Sequence, residues 1–218
     1  MTEKGAIHNI AGLGGGSLAE ARVNALADRL AGALEINDAS REYLRDLLQL
    51  FVDDVESWAD ERQAAYALAT AYHETGIIVN GQMMRFAPVG EAGVVDYFKK
   101  YESGTPIGAR LGNTEPGDGY RFRGRGFVQI TGRNNYKKFS EIVDCDLVAF
   151  PDRALDASTA YLILREGMTK GLFTGKKLSD FIHGETCDFV NARRIINGVD
   201  RATWIARVAR QIDQILHS

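Results

Sequence analysis

Cysteine is scarce in this chain: Cys145 and Cys187 are the only two among 218 residues, too few for a disulfide framework or a thiolate zinc site. Both are read as free thiols, as in a protein made in a reducing compartment. Long apolar runs are missing too. Nothing approaches the ~20 consecutive residues that span a bilayer, and residues 1–9 have neither an apolar core nor a basic cluster that would direct export. The chain is therefore expected to be made in the cytoplasm without a visible signal peptide and to form no stable membrane association. Excess charge of one sign is also lacking. The formal net charge is −3 and the isoelectric point about 5.8, so no global positive field draws the molecule to nucleic acid. Histidine is limited to four residues; His8, His183 and His217 have no partners at metal-ligand spacing and read as structural or surface residues, so neither a metal nor an organic cofactor is expected.

What is present is ordinary globular composition, 45% hydrophobic and 25% charged, with length enough for one sizeable core. Residues 1–16 end in Gly14-Gly15-Gly16 without periodicity and read as a flexible N-terminal arm. Residues 17–218 read as a single domain, expected to be a monomer. Ser17 with Glu20 has the form of a capping box, and Val23, Leu26, Ala27, Leu30 and Leu34 predict a helix over about 18–35. Leu44, Leu47, Leu48, Phe51, Val52, Val55 and Trp58 predict a second, after a break at Asn37-Asp38. An alanine-rich stretch predicts a third over about 61–74, stopped by Gly76. From 80 to 119, three of the four prolines and many glycines predict a long loop region with one short helical piece near 94–101. Residues 127–131 alternate in side-chain direction and predict a strand, Val128 and Ile130 facing one way, Gln129 and Thr131 the other. Helices follow over about 135–143, 157–170, 176–183 and 188–196, and Ile205, Val208, Ala209, Ile212 and Leu216 mark a C-terminal one. The predicted architecture is α+β, mainly α, with a small sheet.

Three segments carry residue types that folding alone does not require: Ala71-Tyr72-His73-Glu74-Thr75-Gly76, Ala87-Pro88-Val89-Gly90-Glu91-Ala92-Gly93, and residues 121–136. The run Phe122-Arg123-Gly124-Arg125-Gly126-Phe127-Val128-Gln129-Ile130-Thr131-Gly132-Arg133-Asn134-Asn135-Tyr136 resembles the signature of glycoside hydrolase family 19, the plant-type chitinases and their phage endolysin relatives. The His-Glu-Thr-Gly segment is similar to that family's catalytic-acid segment, and Arg194-Ile195-Ile196-Asn197-Gly198 resembles its C-terminal cleft motif. The likeness spans about residues 62–210. Leu111-Gly112-Asn113-Thr114-Glu115-Pro116-Gly117-Asp118-Gly119 looks like the phage and bacterial branch, which shifts the implied substrate from chitin to peptidoglycan.

The resemblance implies a lysozyme-like fold with a small β-sheet beside an active-site cleft between two lobes. Glycoside hydrolysis needs one carboxyl group that keeps its proton for the leaving oxygen and a second that stays ionised. Glu74, at a helix C-terminus beside an aromatic wall, meets the dipole end and the desolvation that favour protonation, and the resemblance assigns it the acid role. Glu91 matches the second-acid segment; Glu102 is the next candidate, with Asp96, Glu115 and Asp118 behind it. The family inverts the anomeric centre, and Thr131 matches the residue that positions the attacking water. Gln129, Asn135, Tyr136 and Asn197 match cleft-lining positions, and His73 and Arg123 join them as substrate-binding candidates. Tyr72 and Phe122 are candidates for sugar stacking and equally for the core.

Other readings of these residues are weaker. His73-Glu74 lacks the second histidine of a zinc-peptidase motif, because Ile77 stands there. Gly124-Arg125-Gly126 does not open a helix, as a phosphate-cradling loop must. The basic residues Arg121, Arg123, Arg125, Arg133, Lys137 and Lys138 suit a salt-bridged face as well as attraction of an anionic lactyl-peptide. The expectation is a glycosidase acting on peptidoglycan as a phage or prophage endolysin, reaching the cell wall after release from the cytoplasm. A bacterial chitinase is the near alternative and a non-catalytic cell-wall binding module the distant one.

Overall fold

The computed structural model describes residues 5–14 and 16–218. Two compact units divide the chain: one holds the residues up to Ala87 together with Arg165–Ser218, the other Pro88–Leu164.

In the first unit, Ala6–Ala11 forms a helix, α1, where a flexible arm was expected. Burial explains the difference, since Ile7 and Ile10 are both buried and Glu61 accepts the His8 backbone N–H at 2.8 Å. For residues 1–4 and 15 the arm expectation lies outside the described residues. Helix α2, Ser17–Leu34, does not use the expected capping box: Gly16 is the cap residue and no side chain bonds there. Helix α3, Asp38–Asp53, is capped instead by Asn37, whose side chain accepts the Ser40 N–H at 2.9 Å, a contact that contributes about 1 kcal/mol.

Helix α4, Glu61–Glu74, is the centre of this unit. Every residue from Gln63 to Ala71 is buried, and alanines at 64, 65, 67, 69 and 71 let neighbours approach closely on all sides. Helix α9, Ala202–Leu216, packs along it with the expected stripe of Ile205, Val208, Ala209, Ile212 and Leu216 buried. Between 77 and 84 the expected loop is a hairpin, β1 (Ile77–Val79) against β2 (Gln82–Met84). Its two-residue turn is Asn80-Gly81, both at positive φ, the pairing that type I′ hairpins favour.

The second unit is mostly short elements around Phe98, Phe122, Phe127, Tyr136 and Phe139. Strand β3 (Val89–Gly90) and a 3-10 segment, Val95–Tyr101, come first, followed by helix α5 (Pro106–Leu111) and helix α6 (Asp118–Arg121). Strand β4 (Arg125–Gly126) pairs with β3 and leads through a turn to helix α7, Arg133–Val143. Helix α8, Ala157–Lys170, contains the division between the units.

The strand expected at 127–131 is not formed. Gly126 at φ +92° and Gln129 at φ +53° fold the run back, so that Ile130 bridges to Arg125. Phe127, Val128 and Ile130 are all buried, which a tight turn permits and an alternating strand does not. In the first unit, the helix expected at 176–183 is a 3-10 turn, Leu178–Asp180, followed by β5 (Ile182–His183) paired with β6 (Thr186–Cys187). There Asp180 accepts the Lys177 N–H at 3.0 Å, a bond that caps the start of the turn. The helix expected at 188–196 is likewise a 3-10 segment, Asn191–Ile195. The result is a mainly helical α+β protein with, among the described residues, three two-stranded antiparallel sheets. Both cysteines are free, and no described helix is long and apolar enough to cross a membrane.

Candidate active site

Helix α4 ends in Tyr72-His73-Glu74, and the carboxyl group of Glu74 meets a cation that the sequence reading passed over. Arg193 Nη1 donates to Glu74 Oε1 at 2.5 Å, and Arg193 Nε donates to the Asp200 carbonyl at 3.1 Å. The guanidinium is 4% exposed and the carboxylate 19%, so this is a largely desolvated, charge-assisted bond. Arg193 stands one residue before the Arg194–Gly198 stretch that carries the C-terminal resemblance. The aromatic wall expected beside the acid segment is present: Trp204 stacks on Tyr72 at 5.6 Å between centroids and lies 5.3 Å from the His73 ring. Burial holds the His73 imidazole below its ordinary ionisation range; Glu74 opposes this, while Arg193 and Arg85 reinforce it.

The turn after Glu74 is fixed by a returning segment. Thr75 is fully buried, donating its hydroxyl to the Ala71 carbonyl at 2.6 Å and accepting the Phe86 N–H at 2.7 Å. Phe86 is also buried, at φ +63°, where an L side chain costs about 1–2 kcal/mol. Arg85 Nη1 donates to the Tyr72 carbonyl at 2.6 Å, with its guanidinium 4.1 Å from the Tyr72 ring centroid. The half-buried Tyr72 ring is thus in contact with both Arg85 and Trp204.

In the second unit, Glu91 follows β3. Its backbone N–H donates to the Gly124 carbonyl at 2.7 Å, and its carboxylate accepts the Tyr101 hydroxyl at 3.1 Å and the Gly124 N–H at 3.2 Å. Three candidate residues close on Gly124. A methyl group there would lie 2.8 Å from Gln129 Oε1 and 3.3 Å from both Glu91 Oε2 and Thr131 Oγ1. Gln129 is set by its backbone bend and by bonds from Nε2 to the carbonyls of Val89 at 2.7 Å and Gly126 at 3.1 Å. Thr131 donates to the Gln129 carbonyl at 3.1 Å, a bond that leaves its oxygen lone pairs free.

Three other carboxylates of this unit have structural partners. Glu102 Oε2 accepts the Gly117 N–H at 2.8 Å, and Asp96 pairs with Lys99 on the surface. Asp118 is buried with Arg133 forked across it and the Thr114 and Glu115 N–H groups on Oδ2. Burial alone would raise its pKa, but these bonds win and hold it below the ordinary aspartate range.

Of the remaining candidates, Asn135 donates to the Thr131 carbonyl at 2.7 Å and so braces that turn. Arg123 rests on the Tyr120 ring at 4.3 Å, and Asn197 is exposed, with Oδ1 accepting the Gly198 N–H at 2.8 Å. Tyr136 is fully buried, its hydroxyl bound between Arg125 Nη1 and the Arg123 carbonyl, and burial pushes its pKa up to about 12. Phe122 is fully buried against it at 5.2 Å, which favours the core reading of that residue. Arg125 and Arg133 are consumed by Asp152 and Asp118, so these two members of the basic cluster are salt-bridged.

Among the described residues no three His, Cys, Asp or Glu side chains gather as a metal site. A cavity of about 720 Å³ between α1, α2 and α3, lined in part by Glu20, Asn24, Arg45 and Gln49, contains none of the candidate residues.

No protein-family model matches the chain. Over 104 residues it is 33% identical to a glycosyl hydrolase family 19 domain-containing protein of Haemophilus influenzae, a match covering 40% of this chain and 52% of that protein. The chain thus spans about half the length of this relative. Among solved structures it is similar to chitinase C of Streptomyces griseus, with a TM-score of 0.57 and 20% identity, over 87% of this chain and 75% of the other. A mutant of chitinase C gives a TM-score of 0.52 at 19% identity, over 87% and 90% of the two chains. The expected lysozyme-like, mainly helical α+β class is therefore the fold this chain adopts, in the form seen in chitinase C.

Proposed function

We propose that this chain is a glycoside hydrolase of family 19 that cleaves β-1,4 bonds in N-acetylhexosamine polymers by an inverting acid/base mechanism. The observation that carries the reading is the gathering of the Glu91 carboxylate and the Thr131 hydroxyl beside Gly124, each 3.3 Å from the position a Cβ would take there. A water held between that carboxylate and that hydroxyl has an acceptor for its proton and a group to orient it, as the base half of an inverting reaction requires. Glu74 supplies the acid half. Its bond to Arg193 is one that an ionised carboxylate makes, so proton delivery requires Glu74 to take up a proton and loosen that contact. Glu91 is favoured over Glu102 because the Glu91 carboxylate lies with Thr131 and Gln129 around Gly124, whereas Glu102 lies against Gly117 and Gly119.

Peptidoglycan is the substrate we favour, on the strength of the sequence around Leu111–Gly119, with the enzyme serving as a phage or prophage endolysin that reaches the wall after release. Chitin is the second reading, supported by the likeness to chitinase C. Incubation with purified sacculi and with chitin oligomers separates the two, and the initial anomer of the new reducing end reports the stereochemistry. Glu74→Gln is expected to lower turnover by about 10²–10⁴-fold while binding to the polymer persists. A variant with undiminished turnover, or a wild-type chain that binds either polymer without releasing reducing ends, removes the hydrolase reading in favour of a binding module.

A further inference from the structure

Three bonds that the acid/base account does not use converge on the last turn of α4. A helix C-terminus leaves its final carbonyls without intrahelical partners. Here the Tyr72 carbonyl receives Arg85 Nη1 at 2.6 Å, from a residue 13 positions downstream. Thr75 returns its hydroxyl to Ala71 and receives the Phe86 N–H. The β1–β2 hairpin makes this possible: its register pairs Ile77 with Met84, which sets Gly76 beside Arg85. Gly76 has no side chain in the way, and a Cβ there would lie 2.5 Å from Arg85 Nη1. The clamp is held against backbone preference, because Phe86 keeps a left-handed conformation while fully buried. Glu74 sits within this turn, between Tyr72, whose carbonyl and ring Arg85 holds, and Thr75, which Phe86 holds.

We propose that Thr75 and Arg85 are positioning residues for Glu74: they fix the backbone from which its carboxyl group projects, so that Arg193 and the leaving sugar oxygen find it in one place. This rests on Glu74 being the acid. A misplacement of a catalytic group by about 1 Å can cost ~10²-fold in rate. A positioning defect in the acid lowers kcat and spares KM, because ground-state binding does not depend on it.

The test compares Thr75→Val, Thr75→Ser, Arg85→Met and Glu74→Gln on purified sacculi or chitin hexamer, whichever the wild-type chain cleaves, with thermal melting alongside. Thr75→Val is nearly isosteric and lacks both bonds; the expected result is a kcat about 10-fold lower or less still, with KM within about twofold. Thr75→Ser keeps the hydroxyl and should restore kcat to within about threefold. Arg85→Met should fall in the same direction as Thr75→Val, and it carries the test if Thr75→Val does not fold. Wild-type kcat in Thr75→Val or in a folded Arg85→Met overturns the proposal, as does an equal loss in Thr75→Val and Thr75→Ser. An active Glu74→Gln overturns the acid assignment and this inference with it; an inactive Glu74→Gln beside an unaffected Thr75→Val overturns the positioning role alone.

Discussion

The two candidate carboxyl groups, one in each unit, are held by different kinds of partner. Glu74 hangs from the end of a long helix and meets a buried guanidinium. Glu91 lies in irregular chain and meets two neutral donors, a phenol and a backbone amide. A cation holds a carboxylate strongly but only while it is ionised, and the bond must rearrange when a proton arrives. Neutral donors hold it more weakly and leave a lone pair open. The acid role proposed for Glu74 therefore needs the contact with Arg193 to open, whereas the role proposed for Glu91 needs no change of partner.

Removing the cation gives the largest expected effect. Arg193→Met takes away the partner of Glu74 and a bond to the Asp200 carbonyl while keeping the apolar stem. A rate loss of about 10²-fold is expected, together with a stability loss of about 1–3 kcal/mol because Glu74 is left partly buried without its counter-charge. Kinetics and thermal melting read the two separately. Undiminished turnover in this variant would mean that the guanidinium only packs there, and the contrast between the two carboxyls would lose its functional meaning.

The neutral side can be probed without touching any polar group. Gly124→Ala puts a methyl group too close to Gln129 Oε1 at 2.8 Å and tight against Glu91 and Thr131. A fall of about 10-fold or more in turnover is expected, since Gln129, Glu91 and Thr131 must shift to admit the methyl group. Glu102→Gln should change turnover less than threefold, because its oxygen can still accept the Gly117 N–H. If Gly124→Ala stays active while Glu102→Gln does not, the base has been assigned to the wrong glutamate.

The helical part of this fold was readable because its signals are local and periodic. Alanine density and a stop at Gly76 located α4, and a stripe of five residues located α9. What escaped depends on contacts distant in sequence or on backbone reversal. Phe127–Ile130 looked like a strand since alternation says nothing of the left-handed bend at Gln129. The burial of Tyr136 comes from Arg125 and Phe122. Arg193 reaches Glu74 across 119 residues, a pairing that no local pattern announces. Two misses did carry local signals: Asn80-Gly81 is a hairpin turn pair, and Thr105-Pro106 opens α5, with the Thr105 side chain accepting the Gly108 N–H.

The smallest expected effect concerns His73, which adjoins the cation-held carboxyl and has no counterpart beside Glu91. Its folded-state pKa lies below the ordinary 6.5, first because of burial and further because Arg193 and Arg85 are near, with Glu74 acting against them. As pH falls through 6.5 the unfolded chain takes up a proton that the folded chain refuses, so unfolding gains ground. The stabilisation from neutral His73 is therefore complete above about 6.5 and declines below it until the folded-state pKa is reached. At pH 5.5, one unit below the unfolded value, the loss from this residue cannot exceed about 1.4 kcal/mol. Denaturant unfolding at pH 7.5 and 5.5 should show a larger loss for the wild-type chain than for His73→Asn, which does not titrate. Equal losses in the two proteins would mean that His73 titrates alike in the folded and unfolded chain, and that the guanidinium pair at the end of α4 does not govern its neighbour's proton.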